Sequence, residues 1–87
     1  MAGILVNDAV YESRMRRIGG RMKAARLAAG LDQDYLSLAV GFANGSVISR
    51  IEAGRYNLST KQLLVLADVL GVSVAWLSGE SDAGGPA

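Results

Sequence analysis

Hydrophobic residues recur at intervals of three and four along most of this chain, and no stretch of useful length alternates with a period of two. Spacing of three and four places apolar side chains on one face of an α-helix, whereas strict alternation indicates a β-strand. Glycine and serine residues divide this pattern into pieces of helical length. The sequence therefore predicts an all-α fold.

The first helical piece covers residues 8 to 29, with Asn7 as its N-cap and Gly30 as its C-terminal stop. The adjacent pair Gly19 and Gly20 interrupts it, and two glycines lower helix propensity by about 2 kcal/mol relative to alanine. Two interpretations follow: one long helix, or a helix that begins near Arg17 and leaves a looser arm before it.

Two short helices are predicted next. The first follows an N-cap at Asp32 and ends by Gly41, and the second follows an N-cap at Asn44 and is terminated by Gly54. Two short helices joined by a tight turn that contains glycine form the arrangement that presents a helix to the DNA major groove. The sequence thus predicts a helix-turn-helix over residues 33 to 52.

The C-terminal third of the chain begins with the clearest helix start in the sequence. Ser59 and Gln62 have the spacing of a capping box in front of an apolar run that Gly71 closes. Ser73 caps a last turn or two, and the small, glycine-rich residues 79–87 are expected to be a disordered tail.

The third helix has an outer face suited to reading bases. If Ile48 and Ile51 point inward, the spacing places a set of small residues around one arginine on the opposite face: Ser46, Ser49, Arg50 and Ala53. Small residues let the helix backbone approach the base edges, and an arginine can bond two acceptors of a guanine at once. The alternative is that Arg50 is solvated or paired with Glu52 or Asp34.

Residues 18 to 77 resemble the Cro/CI (Xre) family of helix-turn-helix proteins. The matching segments, in chain order, are Ile18 and Gly19 with Arg21, Met22 and Lys23; Arg26 before Ala29, Gly30 and Leu31; Gln33; Ile48 to Glu52 followed by Gly54; and Leu70 to Val74 before Trp76 and Leu77. The resemblance implies a five-helix, lambda-repressor-like domain over residues 18–78 that binds double-stranded DNA as a two-fold homodimer. Transcriptional repression of phage, prophage, plasmid or antitoxin type is the role it implies most often.

Individual site residues follow from this resemblance and from the outer face. The predicted base-reading residues are Gly45, Ser46, Ser49 and Arg50, and the predicted phosphate contacts are Gln33, Asn44, Tyr56, Asn57 and Lys61. For the phosphate contacts the alternative is an ordinary hydrophilic surface. Arg26 and Glu52 match a partly buried structural ion pair, with an exposed pair as the alternative. One residue more than in the commonest family pattern separates Gly41 from Ile48, which leaves open which of residues 44 to 46 is the cap.

Composition narrows the class of protein. The chain has no cysteine and no histidine, which removes thiolate sites and the commonest general base, and we expect no cofactor, no metal site and no enzyme activity. No apolar run approaches the roughly 18 residues of a membrane span. We therefore expect a soluble cytoplasmic protein that acts at the bacterial nucleoid.

The net charge of +1 is unevenly distributed. Residues 1–30 carry six basic and two acidic side chains, a balance of +4, and the remainder carries −3. This asymmetry is typical of a side that faces a polyanion, although it also fits the solvated face of a helix.

The alternative function is that of an antitoxin-type protein, which binds a partner toxin as well as its own operator. A regulatory protein partner is also possible for a DNA-binding regulator of this size.

Residues 1–17 lie outside the resemblance. Their apolar segment Ile4 to Val6 and the Tyr11 and Met15 stripe favour a role in dimerisation, and the arginines at 14, 16 and 17 are further candidates for phosphate contact. Trp76 and Leu77 are expected to pack in the core and at the dimer face.

Overall fold

Five α-helices make up the regular structure of residues 8–87, the part of the chain that the computed structural model describes. They are α1 (Asp8–Ala28), α2 (Gln33–Ala39), α3 (Gly45–Glu52), α4 (Thr60–Leu70) and α5 (Val74–Leu77). No strand occurs in these described residues. The predicted all-α, five-helix fold is confirmed, while the predicted Asn7 cap and the apolar segment at residues 4–6 lie outside the described residues.

All five helices contribute to one hydrophobic core. Its buried members are Met22, Ala25, Leu36, Ile48, Ile51, Leu66, Ala67, Leu70 and Leu77. Ile48 and Ile51 of α3 are both fully buried, as the helical spacing predicts. Because burial of a large aliphatic side chain stabilises the fold by about 1.5–3 kcal/mol, these two anchors determine which face of α3 remains outside.

Helix α1 runs through the glycine pair without a break, so the interpretation with a helix beginning near Arg17 is not the one observed. The two glycines differ in their surroundings. Gly19 is buried, and a Cβ atom built on it would lie 2.2 Å from the carbonyl oxygen of Ile51. A Cβ on Gly20 would meet nothing within 4 Å. Gly19 therefore allows α1 to approach the C-terminal end of α3 more closely than any larger residue would permit.

The predicted caps of the later helices are present. The Asp32 carboxylate accepts a hydrogen bond from the Tyr35 N–H at 2.7 Å, at the start of α2. Ser59 and Gln62 form the reciprocal capping box in front of α4, with distances of 3.1 and 2.9 Å. The Ser73 hydroxyl accepts from the Trp76 N–H at 3.0 Å. Caps of this kind stabilise a helix by about 1 kcal/mol each.

The C-terminal tail, residues 79–87, differs from the disordered segment that its composition suggests. Arg21 of α1 donates to the carbonyl oxygens of Trp76 and Ser81 at 2.6 and 2.7 Å and to the Asp82 carboxylate at 2.9 Å. Its guanidinium carbon lies 5.0 Å from the centre of the Trp76 ring. The rigid fork of an arginine allows one side chain to bond several acceptors. Composition gives no sign of this contact because two of the three acceptors are backbone carbonyls.

Replacing Arg21 with leucine should release this tail. The Ser73 N–H donates to the Gly84 carbonyl oxygen at 2.8 Å, so its hydrogen exchange reports whether the tail is docked. We expect faster exchange of the Ser73 amide in Arg21→Leu, because three acceptors lose their donor. The matched control is Asp82→Asn: Asp82 is 95% exposed, and exposed pairs contribute under about 1 kcal/mol. Equal exchange in wild type and Arg21→Leu would show that Arg21 does not hold the tail.

Candidate nucleic-acid interface

Helices α2 and α3 are joined by a tight turn over residues 40–44. Gly41 has a φ of 86°, in the left-handed region that favours glycine. The Phe42 N–H donates to the Ser37 carbonyl oxygen at 2.8 Å. The buried Ser37 hydroxyl donates in turn to the carbonyl oxygen of Asn44. These bonds tie the end of α2 to the start of α3 and set the position of α3 in the helix-turn-helix.

The N-terminus of α3 is capped by Asn44. The Asn44 side-chain oxygen accepts hydrogen bonds from the Ser46 N–H at 2.9 Å and from the Ser46 hydroxyl. This geometry identifies Asn44 as the cap among the three residues that the sequence leaves open. Asn44 itself is exposed.

Gly45, a predicted base-reading residue, lies at the contact between α2 and α3. It is buried, and a Cβ atom built on it would lie 2.2 Å from the Asp34 carboxylate oxygen Oδ1. The carboxylate of Asp34 therefore lies over the first turn of α3, where a negative charge interacts favourably with the helix dipole. Gly45 serves the contact between α2 and α3, and its role in base reading stays a prediction. The sequence does not predict the contact between Gly45 and Asp34, because it depends on how α2 and α3 pack against each other.

The outer face of α3 carries three exposed polar side chains: Ser46, Ser49 and Arg50. They lie opposite the buried Ile48 and Ile51. The ion pairs among the described residues join Arg21 to Asp82 and Arg26 to Glu52, so Arg50 is not paired with Glu52 or Asp34. The face is thus small and polar around one arginine that no carboxylate neutralises.

An aromatic ring lies beneath this arginine. The Arg50 guanidinium carbon lies 5.5 Å from the centre of the Tyr56 ring. Tyr56 packs edge-on against Phe42, with ring centres 6.0 Å apart and an angle of 67° between the ring planes. Its hydroxyl accepts a hydrogen bond from the Gln62 amide at 3.1 Å. The sequence predicted a phosphate contact for Tyr56 and did not anticipate its contact with Arg50.

Arg26 and Glu52 form a nearly buried ion pair between α1 and the end of α3. Their side chains are 9% and 6% exposed, and two bonds of 2.6 and 3.1 Å join guanidinium and carboxylate. Arg26 also donates to the Leu31 carbonyl oxygen at 2.9 Å. The hydrogen bonds that Arg26 donates to the Glu52 carboxylate raise the pKa of Arg26 above its usual value, although burial opposes the shift.

Gln33, a predicted phosphate contact, is half-buried at the start of α2. Its side-chain amide donates to Glu52 Oε1 at 3.0 Å, so the Glu52 carboxylate accepts hydrogen bonds from both Gln33 and Arg26. One of its two amide hydrogens is engaged within the protein. The amide thereby links the first turn of α2 to the last turn of α3.

Two further predicted phosphate contacts, Asn57 and Lys61, lie in the loop after α3 and in the first turn of α4. Asn57 and Lys61 are both exposed. The Asn57 side-chain oxygen accepts a hydrogen bond from the Tyr11 hydroxyl at 2.6 Å. A Cβ atom built on Gly54 would lie 2.7 Å from the Arg16 side chain. The N-terminal half of α1 therefore runs beside this loop, a placement that the sequence did not predict.

Comparison with known protein families identifies the architecture. A family model described as helix-turn-helix matches residues 22–77, which is more than half of the chain. The chain belongs to the Cro/CI (Xre) type of helix-turn-helix family. It is accordingly a DNA-binding transcriptional regulator. Neither a search of curated proteins nor a search of solved structures gave a match.

The Xre-type match covers the turn, the candidate recognition helix α3 and the loop that follows it. It begins at Met22, inside α1, so the turns of α1 that carry Tyr11 and Arg16 lie outside it. It ends at Leu77, before the tail that Arg21 holds. No helix within residues 8–87 is both long enough and apolar enough to cross a membrane.

Proposed function

We propose that this Xre-type regulator is a sequence-specific repressor of phage or mobile-element type, which binds a pseudo-palindromic operator as a homodimer. In this proposal α3 enters the major groove. The observation that carries it is the outer face of α3: Ser46, Ser49 and Arg50 are exposed, and Arg50 has no acidic partner among the described residues.

Arg50 is the principal base-reading residue in this proposal. An arginine without an ion pair keeps its donors available, and a guanidinium can bond O6 and N7 of guanine together. Ser46 and Ser49 are short enough to let the α3 backbone lie close to the base edges. The Ser46 hydroxyl already donates to Asn44, so it accepts more readily than it donates.

Phosphate contacts are assigned to residues around α3. Asn57 and Lys61 are exposed on the loop side, and Asn44 is exposed at the helix N-terminus. Gln33 has one amide hydrogen left for a phosphate after its bond to Glu52. The carboxylate of Asp34 over the first turn of α3 makes the Asn44 end less favourable for an anion than the Lys61 end.

The homodimer is proposed because the base contacts of a single α3 helix provide too little sequence specificity. A specific site is distinguished from non-specific DNA by about 4–10 kcal/mol, and each correct bidentate base contact contributes about 1–3 kcal/mol. Three exposed side chains, only one of which is an arginine, fall short of this range, so a second half-site is required. Exposed apolar side chains such as Leu27 (59%) and Leu38 (70%) offer surface for a partner subunit.

Arg50→Ala should relax the base preference at one position of each half-site. Selection of bound DNA from a random pool, at a stated salt concentration, identifies that position. We expect a loss of about 1–3 kcal/mol for the preferred operator and almost no loss for unrelated DNA. Lys61→Ala is the contrasting variant, because loss of a phosphate contact weakens all sequences alike and lowers the salt dependence. A uniform loss in Arg50→Ala would reassign Arg50 to the phosphate backbone.

The dimer itself is tested by footprinting and by mass in solution. We expect dyad-symmetric protection, with half-site centres about 34–36 Å apart along the duplex. Protection of a single half-site by a monomer would contradict the homodimer and leave DNA binding itself intact.

A further inference from the structure

The Tyr56 ring lies against the side chain of Arg50. The guanidinium carbon lies 5.5 Å from the ring centre, within the roughly 6 Å over which a cation is attracted to an aromatic face. Arg50 is exposed and has no carboxylate partner among the described residues, so the ring is the contact that restrains it.

The ring is itself restrained from two directions. Phe42, from the turn between α2 and α3, packs against it edge-on at 6.0 Å. The Gln62 amide donates to its hydroxyl at 3.1 Å. Gln62 is fixed in turn by the capping box of α4, in which its side chain accepts from the Ser59 N–H. Tyr56 is therefore a half-buried ring held by the turn and by α4, with one face toward Arg50.

We propose that Tyr56 is a positioning residue for base recognition, which holds the Arg50 guanidinium by its ring face before DNA binds. The inference rests on the proposed function of Arg50. A cation–π contact engages the positive charge of the guanidinium and does not use up its N–H donors, which stay available for a guanine. Restraint before binding lowers the entropy lost when a flexible arginine becomes ordered on the DNA. This role belongs to the ring, whereas the phosphate contact predicted for Tyr56 would belong to the hydroxyl.

Two variants separate the ring from the hydroxyl. Tyr56→Phe keeps the ring and removes the hydroxyl, while Tyr56→Leu removes the ring. We expect Tyr56→Phe to bind the selected operator like wild type and Tyr56→Leu to bind it about two- to fivefold more weakly, in keeping with a cation–π contact at an exposed site. Binding to unrelated DNA should change in neither. Equal and sequence-independent weakening of both variants would overturn the proposal in favour of a phosphate contact.

A double-mutant cycle tests whether the effect passes through Arg50. In an Arg50→Ala background, Tyr56→Leu should cause no further loss of base preference. If Arg50→Ala relaxes the preference and Tyr56→Leu does not, the positioning role is overturned while the proposed function stands. If Arg50→Ala leaves the preference unchanged, the proposed base-reading role of Arg50 fails and this inference fails with it.

The free protein gives a readout that needs no DNA. The side-chain Nε–H resonance of Arg50 should show an upfield ring-current shift in wild type and in Tyr56→Phe, and lose it in Tyr56→Leu. Tyr56→Met provides a second variant without a ring, to be used if the leucine variant proves poorly folded by circular dichroism. An Arg50 resonance that is the same with and without the ring would overturn the proposal.

Discussion

Arg26→Met should destabilise the protein by about 3–5 kcal/mol, because it leaves the Glu52 carboxylate buried without its cation. Glu52 is only 6% exposed at its side chain, and Gln33 would be its remaining side-chain donor. Small domains have free energies of unfolding of about 5–15 kcal/mol, so this loss is a large fraction of the total. Urea titration followed by circular dichroism measures it as a lower midpoint with an unchanged slope.

The double variant Arg26→Met with Glu52→Leu is the control for this prediction. Removing both charges together should recover most of the stability, because replacement of a buried pair by apolar residues is often neutral. A cost below about 1 kcal/mol for Arg26→Met alone would show that the pair behaves as an exposed one. Such a result would contradict the burial described above.

The pH dependence of this pair follows from the direction of the Arg26 shift. Its pKa is raised in the folded protein by the hydrogen bonds that it donates to Glu52. A raised pKa gives a stabilising contribution that is fully present below the unfolded-state pKa and is lost only as the pH rises through the folded value. For arginine that window is strongly alkaline. The contribution from Arg26 should therefore be constant across the neutral range.

Local signals in the sequence predicted most of the helical architecture. Ser59 and Gln62 are three residues apart, and each bonds the other's backbone, so a capping box needs no knowledge of the rest of the fold. The inward position of Ile48 and Ile51 follows from helical spacing alone. Features of this kind depend only on residues within about one turn of helix, so they can be predicted from the sequence.

Contacts between distant segments were not predictable in the same way. The sequence predicts Gly45 as a base-reading residue, and only the packing of α2 on α3 shows that Asp34 lies against it. The tail has the composition of a disordered segment, yet Arg21, about 60 residues earlier, bonds its backbone. The contact between Tyr11 and Asn57 joins residues 46 positions apart in the sequence. Each depends on the approach of two elements that no local spacing records.

In the candidate site, too, some features follow from local spacing and others from contacts between distant segments. The exposed set of Ser46, Ser49 and Arg50 follows from the face of α3 opposite its buried isoleucines. The support beneath Arg50 does not, because Tyr56 belongs to the loop after α3 and is oriented by Phe42 and Gln62. The sequence thus predicts which side chains face outward, and the tertiary packing determines how firmly one of them is held.

Gly19→Ala and Gly20→Ala should change stability in opposite directions, although the two residues are adjacent on α1. A methyl group on Gly20 meets nothing within 4 Å, so alanine there should stabilise the helix by about 1 kcal/mol through its higher helix propensity. A methyl group on Gly19 would lie 2.2 Å from the Ile51 carbonyl oxygen and 2.9 Å from that of Glu52. Both contacts are with backbone, which cannot rotate away as a side chain would.

The expected cost of Gly19→Ala is about 1–3 kcal/mol or more, the range for added bulk in a packed interior. Relief would require α3 to move away from α1, and Ile51 resists that movement because it is fully buried in the core. Thermal unfolding measures the difference, since 1 kcal/mol corresponds to about 4–8 °C in a domain of this size. Two alanine variants that both stabilised the protein would show that α1 can withdraw from α3 at little cost. Opposite signs would establish that the first glycine is required by the close approach of α3 to α1, and that the second only lowers the helix propensity of α1.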